Sequence, residues 1–374
     1  MPLADAARRL DVSCGKRPAA LPHAHGASPR LSGQTLGARN RIKIGNMREV
    51  LLYGLGRAFV DFRPRTRAID AAIWKSVPAI FSWQRYEVAD DRIDLTFDWR
   101  FAVSEIRRSI KVPTLSEFVA SKGSIEYEHT RDDSVRLPVR SVGVAPSQLI
   151  ASLIEHHLCE MFLIMNIAFP GAFSAMQIGI PGTISRTVRL SSEILEKSWA
   201  HSVEHGWPQI QPVSLEATYR WYHALGVGLS QVAHAKVAKV LFSLLQLAQL
   251  QGPEPPAIQW LAQALEALFG LSASAPHALL AQRIGTVLPG TNQKTLRRLL
   301  RGFYEERNAF AHGGADVLHP MRHDIMDEAV NHFDDKWWPP VMFATSVIVA
   351  TLQVLVRRGW RDLSWSEECF GVAL

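Results

Sequence analysis

Apolar and polar residues follow two different rhythms along this chain. Between about residues 47 and 145 the short stretches "AIFSWQRYEV" and "RIDLTFDWRFAV" are aromatic and β-branched, and Ile93, Leu95 and Phe97 alternate with polar neighbours. Period-two alternation marks half-buried strands, and the Asp90-Asp91 pair between the two stretches suits a turn. "SIEYEHTRDDSVRLPVRSV" continues the same pattern. From Pro146 onward the spacing becomes helical. Leu149, Leu153, Leu158 and Phe162 fall on one face of "SQLIASLIEHHLCEMFLIMNIAF", and the Pro170-Gly171 and Pro181-Gly182 pairs then punctuate a loop region.

The C-terminal part reads as helices throughout. A long helix is expected across "SLEATYRWYHALGVGLSQVAHAKVAKVLFSLLQLAQL", with Leu229, Val232, Val237, Val240, Leu241, Leu244 and Leu245 as its apolar stripe and Lys236 and Lys239 beside it. "GPEPP" closes it and starts the next helix, in which Trp260, Leu261, Ala264, Leu265, Leu268 and Phe269 form the core face and Gly270 the stop. "HALLAQRIGTVLPG" is a further helix, and Thr291 or Asn292 caps the one after it. A last apolar helix spans 340–358. These patterns predict an α+β protein: a 1–46 extension without structure, a small β-rich domain over 47–145, a helical and loop connector over 146–214, and an all-α bundle over 215–374. We find no internal repeat.

Composition adds constraints. The 374 residues are 47% hydrophobic and 20% charged, as in ordinary globular proteins. The formal charge of +6 and a pI near 9.3 suit a polyanionic partner such as RNA, though many soluble proteins share this balance. Cys14, Cys159 and Cys369 are isolated, which supports neither a disulfide framework nor a thiolate zinc site and fits a cytoplasmic setting. Residues 1–46 lack the apolar core of a secretory signal, and "MREVLLYGLGRAFVDF" after them reads as the start of folded protein, so we expect the first 46 residues to be an upstream extension. The most apolar run, "VMFATSVIVATLQVLV", is shorter than the roughly 20 residues a bilayer requires and is interrupted by Gln353, so a buried helix and no membrane span is expected.

The richest chemistry lies at the end of the long helix after Asn292. With Lys294 at 0° and 100° per residue, Leu296, Leu299, Leu300, Phe303 and Phe310 fall at about 200°, 140°, 240°, 180° and 160° and form its buried face. Arg298, Arg301, Glu305, Asn308 and His312 form a polar stripe within about 40° of zero. Arg307 lies near 220°, among the apolar residues, where an unpaired guanidinium is costly. Glu266, the only charged residue of the Trp260–Phe269 helix, is its expected structural partner. Arg307 and His312 are about 140° apart on an ideal helix. Gly313-Gly314 can loosen the last turn and swing His312 round, or a second copy of the helix can bring the two residue types together. The plain alternative is a capped helix, with His312 favouring the negative helix end and Arg307 in a structural ion pair.

These residues resemble the HEPN superfamily, whose signature is an Arg, a polar residue and then a His near a helix end; here they are Arg307, Asn308 and His312 in "RNAFAH". The preceding "LRRLLRGFYEE", the following "GG", and the upstream "IQWLAQALEALFG" and "LLAQRIGTVL" are similar to the Apea-like HEPN group. The resemblance covers about residues 215 to 358. It implies an all-α bundle that commonly forms a homodimer and a metal-independent endoribonuclease in toxin, antiphage or RNA-processing systems, in some cases held by an antitoxin protein; other members have lost activity and serve as RNA-binding or interaction modules. On this reading His312 relays protons, Arg307 holds phosphate, Asn308 orients one of them, and Arg298 and Arg301 guide RNA, with no metal and no cofactor.

Competing signals are thin. His201/His205 and His319/His323 are spaced i, i+4, and "EHHLCE" adds His156 and His157 near Glu160, but no H-E-x-x-H occurs and Pro320 interrupts any helix through His319. "GLGRAF" (54–59) lacks the third glycine of a dinucleotide loop, and neither a Walker P-loop nor a G-x-S-x-G elbow is present.

Overall fold

A computed structural model describes residues 47–53, 64–88, 91–109, 134–143, 145–180, 188–250, 252–271, 277–319 and 327–366. The expectations for residues 1–46, the "GLGRAF" stretch, Pro181-Gly182 and His323 lie outside these residues.

The alternating stretches form an antiparallel sheet. Its strands are β1 (Met47–Tyr53), β2 (Trp83–Val88), β3 (Asp91–Phe97), β4 (Ser134–Val142), β5 (Ala175–Gly179) and β6 (Val188–Leu190), in the spatial order β2-β3-β4-β1-β5-β6. Ile93, Leu95 and Phe97 all point inward and are buried, as their alternation requires, alongside Val50, Leu52, Leu137 and Val139. Two helices stand in the part expected to be β-rich: α1 (Pro64–Phe81) and α2 (Arg100–Ser109). The inward residues of α1, namely Ile73, Trp74, Val77 and Phe81, repeat at helical spacing and cover the sheet's inner face with α3 (Ser147–Ala168). Trp74 Nε1 donates to the Ala172 carbonyl at 3.0 Å and Trp99 Nε1 to that of Phe81 at 3.0 Å, so these large rings bury without stranded donors.

The 146–214 stretch is more than a connector. It supplies α3, β5, β6 and α4 (Glu193–His205), and β5 pairs with β1 through Leu51–Gly179, Leu52–Ile178 and Tyr53–Gln177.

The helical remainder comprises α5 (Leu215–Ala224), α6 (Lys236–Ala248), α7 (Pro255–Phe269), α8 (His277–Val287), α9 (Gln293–Ala311) and α10 (Glu328–Arg358). The single helix expected from residue 215 is two helices. Gly226 and Gly228 take φ of +69° and +50°, a left-handed backbone that breaks the helix, and Leu229 and Val232 are left exposed rather than in the stripe. Trp260 and Leu299 also stand at the rim, each 36% exposed, instead of in the core. Gly270 ends α7 in the left-handed region, and Asn292 caps α9 by accepting from the Lys294 N–H at 2.7 Å, both as the sequence predicts.

α10 starts about three turns earlier than the apolar run indicates and packs against α4, α7 and α9. Among the described residues, α3 and α10 are the two helices long and apolar enough to cross a membrane, yet 78% of the apolar window in each is buried inside the protein. Gln353 explains the interruption in α10. Its Nε2 donates to the Ile167 carbonyl at 2.9 Å and its Oε1 accepts from the Gln211 N–H at 3.1 Å, so it ties α10 to the end of α3 in the core.

Candidate functional site

α9 brings the signature residues to one helix end. Its last turn closes in a Schellman motif: Gly314 N–H donates to the Ala309 carbonyl at 2.7 Å and Gly313 N–H to that of Phe310 at 3.4 Å, with Gly313 at φ +75°. The helix is therefore wound to Ala311, and His312 is its C-cap, with its own N–H on the Asn308 carbonyl at 3.0 Å. The loosening that would swing His312 around the axis does not occur. His312 and Asn308 are both exposed, on the polar stripe with Arg298, Arg301 and Glu305.

Arg307 is half-buried, as its position on the apolar side predicts, and Nη1 donates to Asn308 Oδ1 at 3.1 Å. Its Nε is buried without a hydrogen-bond partner. The ion pair expected with Glu266 is not formed. Gln259 Nε2 donates to the Arg307 carbonyl at 3.4 Å, which sets the Arg307 backbone level with the second turn of α7. Glu266 lies seven residues farther along that helix, about 10 Å away at 1.5 Å per residue. It accepts from the Tyr304 hydroxyl at 3.4 Å instead. Burial and then the Glu266 charge raise the Tyr304 hydroxyl well above its ordinary range, so it remains a donor. Beside this pair, Lys336 of α10 sits 3.4 Å from Glu306, and the His277 ring stacks on Tyr304 at 4.4 Å. None of these three contacts is legible in the sequence, because each depends on which helices pack together.

Within one chain no hydrogen bond links Arg307 to His312. The arrangement does provide a guanidinium with free donors, a carboxamide bonded to it, and an imidazole at the solvent, all within two turns of one helix.

A second polar group lies where α3, α5 and β2 meet. His156 Nε2 is 3.5 Å from Glu160 Oε1, and Tyr86, Tyr219, Tyr222 and His223 surround that carboxylate. His157 is fully buried. Its Nε2 lies 3.2 Å from the Phe81 carbonyl, and its ring stacks on Phe97 at 4.2 Å. Desolvation pushes its pKa from 6.5 down to about 4, against the pull of Glu160, so it is neutral at physiological pH. "EHHLCE" is thus a core polar motif. Among the described residues no group of three or more His, Cys, Asp and Glu is arranged to hold a metal ion. The His201 and His205 rings lie 4.1 Å apart at their centroids, tilted by 37°.

The architecture is that of the α+β class, an antiparallel sheet followed by packed helices. The chain matches no family model, no curated protein and no solved structure.

Proposed function

We propose that this protein is a metal-independent endoribonuclease of the HEPN type, working in the cytoplasm as a toxin or antiphage effector. The observation that carries the reading is the exposed His312 at the Schellman end of α9, one turn above an Asn308 that is bonded to Arg307.

The chemistry uses the substrate's own 2′-hydroxyl. That oxygen bonds to the adjacent phosphorus as His312 takes its proton, and the bond from phosphorus to the 5′-oxygen breaks. A proton delivered to the departing oxygen completes the step, leaving a 2′,3′-cyclic phosphate and a 5′-hydroxyl. Arg307 holds the phosphate oxygens through its two-pronged fork, and Asn308 fixes the direction of that fork. Arg298 and Arg301 guide the RNA backbone toward the helix end. A homodimer in which two α9 ends face one another supplies Arg307 from one copy to His312 of the other.

Purified protein incubated with RNA and a chelator is expected to produce 5′-hydroxyl ends, and His312→Ala and Arg307→Ala are each expected to abolish cleavage with the fold intact. Full activity in both variants, or a requirement for added divalent metal, overturns the proposal. The missing bond between Arg307 and His312 within one chain favours the other reading, a catalytically silent RNA-binding module. RNA bound but uncut at every pH establishes that alternative.

A further inference from the structure

The outer face of the sheet is a surface with its own composition. Strand register places Trp83, Thr96, Arg140 and Met47 in one row across β2, β3, β4 and β1, with Arg85, Asp94 and Val142 in the row beside it. Neighbouring strands are about 4.8 Å apart, so the first row spans about 14 Å. This face lies opposite the one that α1 and α3 cover. Met47 is 73% exposed, Trp83 51% and Val142 37%, an unusual amount of apolar surface for neighbouring sheet positions.

The charges are arranged unequally. Asp94 is consumed by Arg85 at 2.7 Å and Arg92 at 3.7 Å, and Glu49 lies 3.8 Å from Arg136. Arg140, exposed among Met47, Thr96 and Val142, makes no ion pair or hydrogen bond among the described residues. The Arg85 guanidinium carbon lies over the Trp83 ring, 4.8 Å from its centroid, and its bond to Asp94 holds it there.

We infer that this face binds single-stranded nucleic acid, with a base stacked at Trp83–Arg85 and a backbone phosphate on Arg140. A flat conjugated ring beside a phosphate is the ligand that matches an exposed indole next to an unneutralised guanidinium. Duplexes hide their base faces and cannot use the platform. The inference stands on the sheet and not on α9. A polyribonucleotide is the form that the proposed cleavage reaction would deliver here.

The test uses the full chain carrying His312→Ala, so that the probe survives even if the wild type cuts it. Fluorescence anisotropy is read with a short labelled oligouridylate, its deoxy counterpart, an RNA duplex and a polyglutamate peptide. Trp83→Ala is expected to weaken single-strand binding roughly 5- to 150-fold. Arg140→Gln is expected to reduce the slope of log affinity against log salt by about 0.7, the value for one lost phosphate contact on a single strand. Arg220→Gln, at the exposed surface of α5, serves as the comparison, and its single-strand binding is expected to be unchanged. Unchanged binding in both sheet variants, with unchanged thermal midpoints, overturns the inference. Equal binding of polyglutamate, lost in the same two variants, overturns it too, in favour of an acidic protein partner. Loss of single-strand binding in the sheet variants supports it, whether or not His312 proves catalytic.

Discussion

Arg307 donates from Nη1 to the Oδ1 of its chain neighbour Asn308 at 3.1 Å, so the guanidinium is steered by a side chain on the exposed face of the same helix. Asn308→Ala removes that constraint without removing the charge. With about 1.5–3 kcal/mol for a hydrogen bond to a charged group, kcat/KM for RNA cleavage is expected to fall about 10- to 150-fold. Asn308→Asp is expected to fall further in RNA affinity, since it neutralises Arg307. Steady-state kinetics on a defined oligonucleotide measure both.

The buried His157 sets an acid limit. The unfolded chain takes up its proton below pH 6.5, while the folded chain resists until about pH 4. Protons therefore favour unfolding as pH falls through this window, and the histidine's contribution is complete only above pH 6.5. The loss across the window is about 3 kcal/mol. Urea unfolding at a series of pH values, compared between wild type and His157→Leu, isolates it: the variant should be less stable near neutrality but show a shallower decline. Parallel curves would contradict the assignment.

Gln353 is a second measurable anchor. Gln353→Leu keeps the volume but strands the buried Ile167 carbonyl, at a cost of about 1–3 kcal/mol, and releases the Gln211 N–H, which belongs to an exposed residue and can turn to water. A stability loss of about 1 to 3 kcal/mol is expected in urea titration. No loss at all would mean that water replaces the amide.

Gly313 occupies a left-handed position with open space around it, so Gly313→Ala meets no clash and only a backbone penalty of about 1–2 kcal/mol. Faster amide exchange in the last turn of α9 is the expected result, together with weaker catalysis, because that turn carries Asn308 and positions His312.

What the sequence discloses follows from how local each cause is. Gly270 and Asn292 act within a few residues of their own backbone, and both caps are readable. The burial of Ile93, Leu95 and Phe97 follows from alternation alone. α1 is masked because Pro78 lies inside it and aromatic residues flank it, although Ile73, Trp74, Val77 and Phe81 keep helical spacing. The break after α5 was available in Gly226 and Gly228, yet the leucine and valine spacing beyond them imitates a continuing stripe. Partners of Glu266 and Glu306 lie on other elements, and only packing decides them. For the proposed site, the sequence nominates Arg307, Asn308 and His312 and places Arg307 on the inner side of α9. It does not reveal that Tyr304 takes the Glu266 carboxylate.

β1 has a strand on either edge, β4 from before α3 and β5 from after it. Severing the chain near residue 145 would leave a fragment with one of its strands open to foreign pairing, and a second fragment whose β5 has lost its template. The two pieces therefore constitute an interleaved unit. Dissecting the helical part away to study its chemistry in isolation would yield an aggregation-prone truncation unless the missing strands are co-expressed.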